Sequence, residues 1–348
     1  MSKPIVTALT SFGMSGQVFH APVVSAHHGF QLKYILERSK ENSKEKYSAS
    51  TIARSYDEIL QDPTVELVIV NTPNYLHYAM TKEALLAGKN VIVEKPFTVY
   101  EKEAVELIKL ANEKNLILSV YHNKRLEGEF KTVQKIINEK LLGNIEVFET
   151  RFDRYRPEIG TKKWKEELNP GAGLLYDLGP HMIDQVLVLF GIPLTVEADL
   201  QVQRQGGKVV DYFKITLQYK NMQAIVTAGM FAKGEVLKYF IKGDKGIYSK
   251  YGNDPQEEML KQGHSPLMQG WGEEPKEQWG KIQSMSGEIQ IIPTLPGTYM
   301  DFYTSIYDTI RNNIQPIIAA EEALLTIRII ELAYESHDLG LPVPLSGK

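Results

Sequence analysis

The 348-residue chain has no cysteine, which removes disulfides, thiolate nucleophiles, iron–sulfur clusters and cysteine-ligated zinc together. His, carboxylate, Lys, Tyr, Ser and bound cofactors remain as carriers of chemistry. Excess positive charge is also missing: 39 Lys and Arg stand against 43 Asp and Glu, a formal net charge of −4. A basic surface suited to nucleic acid or anionic membrane is therefore not expected. No stretch approaches the ~20 apolar residues of a membrane span, and the first residues lack a basic region followed by an apolar core. The expectation is a cytoplasmic protein with neither a membrane nor a nucleic-acid partner.

What is present is ample apolar material. Hydrophobic residues make up 43% of the chain, which excludes disorder as the main state. At ~150 residues per domain, the length suggests about two domains. From Pro4 to His122, short apolar runs (Ile5–Leu9, Leu32–Leu36, Glu66–Asn71, Asn90–Val93, Leu116–Val120) alternate with helical stretches. Runs without polar alternation read as strands buried on both faces, hence a doubly wound parallel α/β sheet over residues 1–122. Helices are expected over Tyr75–Ala87, with Asn74 as N-cap and Gly88 as C-terminal cap, and over Val99–Asn115.

Over residues 123–348 the rhythm changes. A helix over Phe130–Leu142 precedes longer, alternating strands such as Asn144–Tyr155, Thr195–Gln203, Val209–Tyr219 and Met222–Phe231. These predict an α+β domain with a large, mostly antiparallel open sheet. Gly252–Gly280, rich in Gly, Pro, Gln and Glu, reads as a long loop, and helices follow over Thr298–Asn312 and Ala319–Leu339.

The first strand runs into Ser11-Phe-Gly13-Met14-Ser15-Gly16, a G-x-G-x-x-G dinucleotide turn with Ser in the first position. Gly13 lets backbone approach a pyrophosphate, Gly16 allows close helix packing, and the helix N-terminus offers free N–H groups. About 20 residues further, at the end of the second strand, stand Glu37, Arg38 and Ser39. Glu37 suits the free ribose of NAD, whereas Arg38 with Ser39 suits the 2′-phosphate of NADP; a solvated charge pair is the plain alternative.

Glu94-Lys95-Pro96 ends the fifth apolar run, at the carboxyl edge where open α/β sheets bind ligands. Lys95 there could stabilise a developing alkoxide, or Glu94 could simply form a strand-end ion pair. The second constellation is Gly171-Ala-Gly-Leu-Leu-Tyr-Asp177-Leu-Gly-Pro180-His181-Met-Ile-Asp184. With a helix starting near Leu178 and Pro180 in its first turn, Asp177, His181 and Asp184 share one face. Asp177 could then be an N-cap beside a core histidine, the three could bind metal, or His181 could be an acid/base oriented by a carboxylate. With a nicotinamide cofactor the last reading leads, because alcohol oxidation must remove a hydroxyl proton; no metal is needed.

These motifs, with Phe19-His-Ala-Pro22, Asn71-Thr72-Pro73-Asn74-Tyr-Leu-His77 and Tyr176-Asp-Leu-Gly-Pro-His181-Met-Ile-Asp-Gln185, resemble the Gfo/Idh/MocA oxidoreductases along essentially the whole chain. Tyr121-His-Asn-Lys-Arg125 and Asp153-Arg-Tyr-Arg-Pro157 resemble the branch of NADP-dependent scyllo-inositol dehydrogenases. The resemblance implies an N-terminal Rossmann domain and a C-terminal domain whose sheet makes a homodimer or homotetramer. It implies hydride transfer between NADP(H), favoured over NAD(H), and a sugar, inositol or related polyol.

By motif, Lys95 would contact nicotinamide ribose and substrate hydroxyls, His181 would accept or donate the proton, and Asp177 would orient the substrate. Ser11, Gly13, Met14, Ser15, Gly16, Arg38, Ser39, Thr72, Pro73, Asn74, His77 and Glu94 would hold the cofactor with Lys95, and the bond before Pro96 would be cis. Asn123, Tyr155, Arg156 and Trp164 are expected in the polyol pocket. A cofactor-binding sensor of the same fold, without turnover, is the rival expectation.

Overall fold

The N-terminal part of the chain alternates β1 (Ile5–Leu9), α1 (Ala21–Ala26), β2 (Phe30–Leu36), β3 (Thr51–Ala53), α2 (Tyr56–Gln61), β4 (Leu67–Val70), α3 (His77–Leu86), β5 (Asn90–Val93), α4 (Glu101–Glu113) and β6 (Leu118–Val120). Every residue of β1 and β4 is buried, as expected of strands covered on both faces. The strands form one sheet in the order β3-β2-β1-β4-β5-β6, parallel throughout. The order reverses between β1 and β4, which makes the ends of those two strands the topological switch point.

The computed structural model describes residues 3–161 and 163–345. Its two compact units do not follow a single cut in the chain. The first comprises residues up to Leu126, Gln256–Trp271 and Thr298–Leu324; the second comprises Glu127–Pro255, Gly272–Gly297 and Leu325 onward. The later segments of the first unit complete its core. Helix Met300–Asn312 buries Phe302, Tyr303 and Ile306 in one apolar cluster with Ile5, Phe30, Ile35 and Tyr121. Arg311 on that helix makes a bidentate pair with Glu66 just before β4, at 2.7 and 2.9 Å.

Three local differences from the sequence reading concern this unit. The turn after β1 runs into a π-helical stretch, Gly16–His20, before α1 begins. Asn74–Leu76 forms a 3₁₀ turn, so α3 starts at His77, not Tyr75, and Asn74 belongs to that turn. Gly88, at φ +74°, ends the helix as expected. Gly252–Gly280 is not all loop: Gln256–Lys261 is helical and belongs to the first unit.

In the second unit, α5 (Gly128–Asn138), β7 (Ile145–Arg151), α6 (Lys163–Glu166) and α7 (Leu174–Phe190) lead into β8 (Thr195–Gln201), β9 (Tyr212–Gln218), β10 (Gln223–Ala228), β11 (Leu237–Gly243), β12 (Gly246–Tyr251), β13 (Gly280–Ser284), β14 (Ile289–Ile292) and β15 (Val343–Pro344). The nine strands run in the order β14-β13-β12-β11-β7-β10-β9-β8-β15. All their pairings are antiparallel except β7 with β10, so the mostly antiparallel open sheet is present. Phe213, Ile215, Leu217, Ala224 and Val226 are fully buried on one face, and α7 packs on β9 and β10.

Helix α7 starts one turn earlier than Leu178. Gly173, at φ +91°, turns the chain, and the Leu174 N–H donates to the Val210 carbonyl at 2.6 Å. Pro180 therefore lies inside the helix rather than in its first turn, and Asp177 is a helical residue, not an N-cap.

Candidate functional site

In the first unit, the switch point opens into a cleft of about 630 Å³. Of the residues expected at the cofactor, Ser11, Gly13, Arg38, Ser39, Thr72 and Pro73 line it. The glycine turn is locked to the end of β4: Asn71 Nδ2 donates to the Ser11 carbonyl at 2.8 Å, and the Asn71 N–H donates to Thr10 Oγ1 at 3.1 Å. A Cβ on Gly16 would lie 2.4 Å from the Ser11 carbonyl oxygen, so this close approach needs glycine. A Cβ on Gly13 would meet only Ser11 Oγ, at 3.4 Å, leaving its backbone open on the exposed side. A turn with its glycine backbone open at a switch point, above a cleft within the usual ligand range of ~300–1,000 Å³, fits a dinucleotide. Met14, Ser15 and Gly16 belong to the turn but not to the cleft wall.

Glu37 does something the sequence did not show. Its side chain is buried and turns onto the following loop, accepting from the Asn42 N–H at 3.0 Å and the Ser43 N–H at 2.8 Å. Both carboxylate oxygens are thus occupied by backbone donors, and Arg38, Ser39 and Lys40 stand along the same cleft. Arg54 braces the loop from below by donating to the Glu37 and Lys40 carbonyls, at 2.9 and 2.7 Å.

At the end of β5 the peptide bond between Lys95 and Pro96 is cis. His77, Glu94 and Lys95 do not line the cleft. His20 Nε2 pairs with Glu94 Oε1 at 2.9 Å, its Nδ1 meets Tyr303 Oη at 2.6 Å, and Glu94 Oε2 accepts the Lys95 N–H at 3.1 Å. Burial pushes the Glu94 carboxyl upward, but the His20 hydrogen bond and the neighbouring charges outweigh it, so its pKa lies below the usual glutamate range. Glu94 is therefore a charged brace under Lys95, which is half-buried.

His77 is a strut. Nδ1 faces the Pro96 carbonyl at 2.7 Å and Nε2 faces the Thr72 carbonyl at 2.9 Å, tying the end of β4 to the turn after β5. Its burial lowers its pKa, with the two carbonyls opposing. Asn74 and Asn123, both nearly buried, also belong to this unit but not to the cleft lining.

In the second unit, α7 presents Asp177 and His181 one turn apart on one face. Asp177 Oδ1 accepts from Lys165 Nζ at 2.8 Å, and Oδ2 lies 3.6 Å from Arg154 Nη1. His181 and Asp184 are buried, the former 6% exposed. Among the described residues, no three His, Asp or Glu side chains are grouped as metal ligands. Trp164 comes close to this pair, since Lys165 Nζ lies 5.2 Å from its ring. Tyr155 and Arg156 are exposed on a segment bridged to Phe231 and Met230, and Lys233 lies 5.4 Å from the Tyr155 ring.

Sequence reasoning missed Lys165, Arg154, Thr10 and the loop-holding role of Glu37. Lys165 reaches Asp177 across an irregular connection, so no periodicity marks it. Arg154 lies within the motif Asp153-Arg-Tyr-Arg-Pro157, the one sequence signal near it.

Comparison with known proteins agrees with this anatomy. Residues 8–122 match the NAD-binding Rossmann-fold domain of an oxidoreductase family, and residues 134–345 match the C-terminal alpha/beta domain of the same family. The chain is 38% identical, over 95% of its length and 93% of the relative's, to scyllo-inositol 2-dehydrogenase (NADP(+)) IolW of Bacillus subtilis. Its fold matches that of yvaA from Bacillus subtilis with a TM-score of 0.95, at 36% identity over 99% of both chains. A solved structure from Bacteroides fragilis, 42% identical, matches with a TM-score of 0.89 over 98% of this chain and 100% of the other. With both domain models matched in order and a relative aligned along nearly the whole length, the chain belongs to the Gfo/Idh/MocA oxidoreductase family, with an NAD-binding Rossmann domain.

Proposed function

We propose that the protein is an NADP-preferring dehydrogenase or reductase acting on a secondary alcohol or ketone of a sugar, inositol or related polyol. The observation that carries the cofactor choice is the end of β2. Glu37, Arg38 and Ser39 all border the cleft, and the Glu37 carboxylate is engaged by two loop amides. A 2′-phosphate would meet a guanidinium and a hydroxyl, and the one carboxylate able to repel it is partly neutralised by its N–H donors. The relative IolW, named as an NADP(+) enzyme for scyllo-inositol, supports both the cofactor and the polyol class.

The bound nicotinamide supplies the two-electron exchange with the substrate carbon. In this reading His181 takes the hydroxyl proton during oxidation and returns it during reduction. Asp177, held by Lys165 and Arg154, orients the substrate hydroxyl and the imidazole. Lys95, braced by Glu94, stabilises the developing alkoxide. Asn123, Tyr155, Arg156 and Trp164 supply hydrogen bonds and aromatic faces to the ring, and the assembly is a homodimer or homotetramer through the sheet of the second unit.

The test is NADPH formation over a panel of inositols and sugars with the wild type, His181→Ala and Lys95→Ala. General acid/base and electrostatic contributions predict losses of ~10²–10⁴-fold in kcat for each variant, with cofactor still bound by His181→Ala. Activity that survives unchanged in both variants refutes the assignment. Tighter binding of NAD than NADP, or an Arg38→Ala protein with undiminished NADP affinity, refutes the cofactor preference.

A further inference from the structure

Arg204 follows β8, and its side chain is 4% exposed. Its Nε donates to Asp211 Oδ2 at 2.9 Å, and its Nη2 donates to Glu166 Oε2 at 2.7 Å. Nη1 reaches Glu166 Oε1 at 3.3 Å and the Glu158 carbonyl at 3.1 Å. The partners are themselves held. Asp211 accepts the N–H groups of Gln203 and Arg204 at 2.6 and 3.0 Å, and Glu166 Oε1 accepts the Gly160 N–H at 3.1 Å.

The same connection between β8 and β9 also fixes the start of α7. Val210, next to Asp211, accepts the Leu174 N–H at 2.6 Å, and a Cβ on Gly173 would lie 2.8 Å from that carbonyl oxygen. Both halves of the Lys165–Asp177 pair therefore hang on residues 203–211. Lys165 adjoins Glu166, and Asp177 lies in the first turn of α7. The Lys165 carbonyl closes the figure by accepting the Gly173 N–H at 3.3 Å.

A buried arginine between two carboxylates costs desolvation that a well-packed apolar side chain of similar size avoids, so stability alone does not account for it. Its specific product is geometry. We infer that Arg204 is a positioning residue for the active centre: by clamping Glu166 to Asp211 it sets Lys165 on Asp177 and holds that carboxylate in its working orientation. The inference rests on the reading of Asp177 as the orienting carboxylate.

The test uses the full-length protein with Arg204→Met, Glu166→Gln, Lys165→Met and the double variant Arg204→Met/Lys165→Met. In the protein without cofactor, reductive methylation of Lys165 is followed by peptide mass spectrometry. Release of Lys165 from Asp177 is expected to speed its labelling several-fold in Arg204→Met and Glu166→Gln, with other lysines unchanged. In turnover, kcat/KM for the polyol falls by ~10–100-fold in Arg204→Met while NADPH affinity stays within twofold. The double variant is no slower than Lys165→Met alone, because both substitutions remove the same contact.

Unchanged Lys165 labelling in both Arg204→Met and Glu166→Gln overturns the inference, as do losses that add in the double variant. If Arg204→Met does not fold, Glu166→Gln, at a side chain 17% exposed, gives the same readouts. A wild type that oxidises no polyol defeats the proposed function, and the labelling experiment still decides whether the clamp exists.

Discussion

Gly16 and Gly13 lie three residues apart in one turn, yet the structure assigns them different duties. A Cβ on Gly16 would press on the Ser11 carbonyl oxygen at 2.4 Å and on Asn71 Nδ2 at 2.9 Å, two groups already hydrogen-bonded to each other. Gly16→Ala is expected to destabilise the protein by about 1–3 kcal/mol through overpacking, seen as a lower urea midpoint. Gly13→Ala meets only an ordinary contact and should keep the wild-type midpoint, losing cofactor affinity alone. Equal midpoints for the two variants would contradict the crowding at Gly16. Glu66 carries a second single-residue prediction. The Arg311 hydrogen bonds lower its pKa, against the opposing effect of burial. A depressed carboxylate contributes stability above its unfolded pKa, and that contribution fades as pH falls through the folded value. The pair is about one-third exposed on the Glu66 side, so solvent screening limits it to about 1 kcal/mol. Arg311→Met should therefore lose stability at pH 7 and converge on the wild type as pH falls below the lowered Glu66 pKa, measured by urea unfolding over an acid series.

Short elements are held by ends that the sequence signals unevenly. Ser55 forms a capping box with Glu58 at the start of α2, and Ser55 and Tyr56 both border the cleft. Ser55→Ala should cost about 1 kcal/mol and weaken NADPH binding, as read from the urea midpoint and a fluorescence titration. A variant that loses stability but binds normally would separate the helix end from the cofactor. The buried strands and the glycine turn were legible because each carries its signal within a few adjacent residues: unbroken apolar runs, or glycines at set spacing. The start of α7 was not. Pro180 suggested a first turn, but the actual start depends on Gly173 meeting the Val210 carbonyl, a contact that no local pattern encodes. The site divided in the same way. The proposed catalytic residues Lys95, Asp177 and His181 could be picked out from motifs, whereas the Lys165–Asp177 contact and the loop amides on Glu37 depend on where loops fold back.

At the scale of the whole molecule, the sheet of the second unit alternates fully buried residues with partly exposed ones along β9 and β10. Register places Phe240, Glu149, Ile225 and Thr216 side by side on β11, β7, β10 and β9, all half-buried. This row crosses the centre of a nine-stranded sheet and sets Phe240 and Ile225 beside Thr216 and the Glu149 carboxylate, which is paired with Arg151 at 3.2 Å. In the proposed homodimer or homotetramer through this sheet, a two-fold arrangement would bring the same row against itself. An additional carboxylate at Ile225, with Arg151 already taken by Glu149, is then repeated across the axis and desolvated twice. Ile225→Asp is expected to convert the assembly to monomers at micromolar concentration, as measured by light scattering coupled to size-exclusion chromatography. Because Ile225 points away from the buried Ala224 and Val226, the melting transition of the monomer should remain cooperative. A monomeric wild type, or an Ile225→Asp protein with the mass of an oligomeric wild type, would refute the proposed assembly through this face.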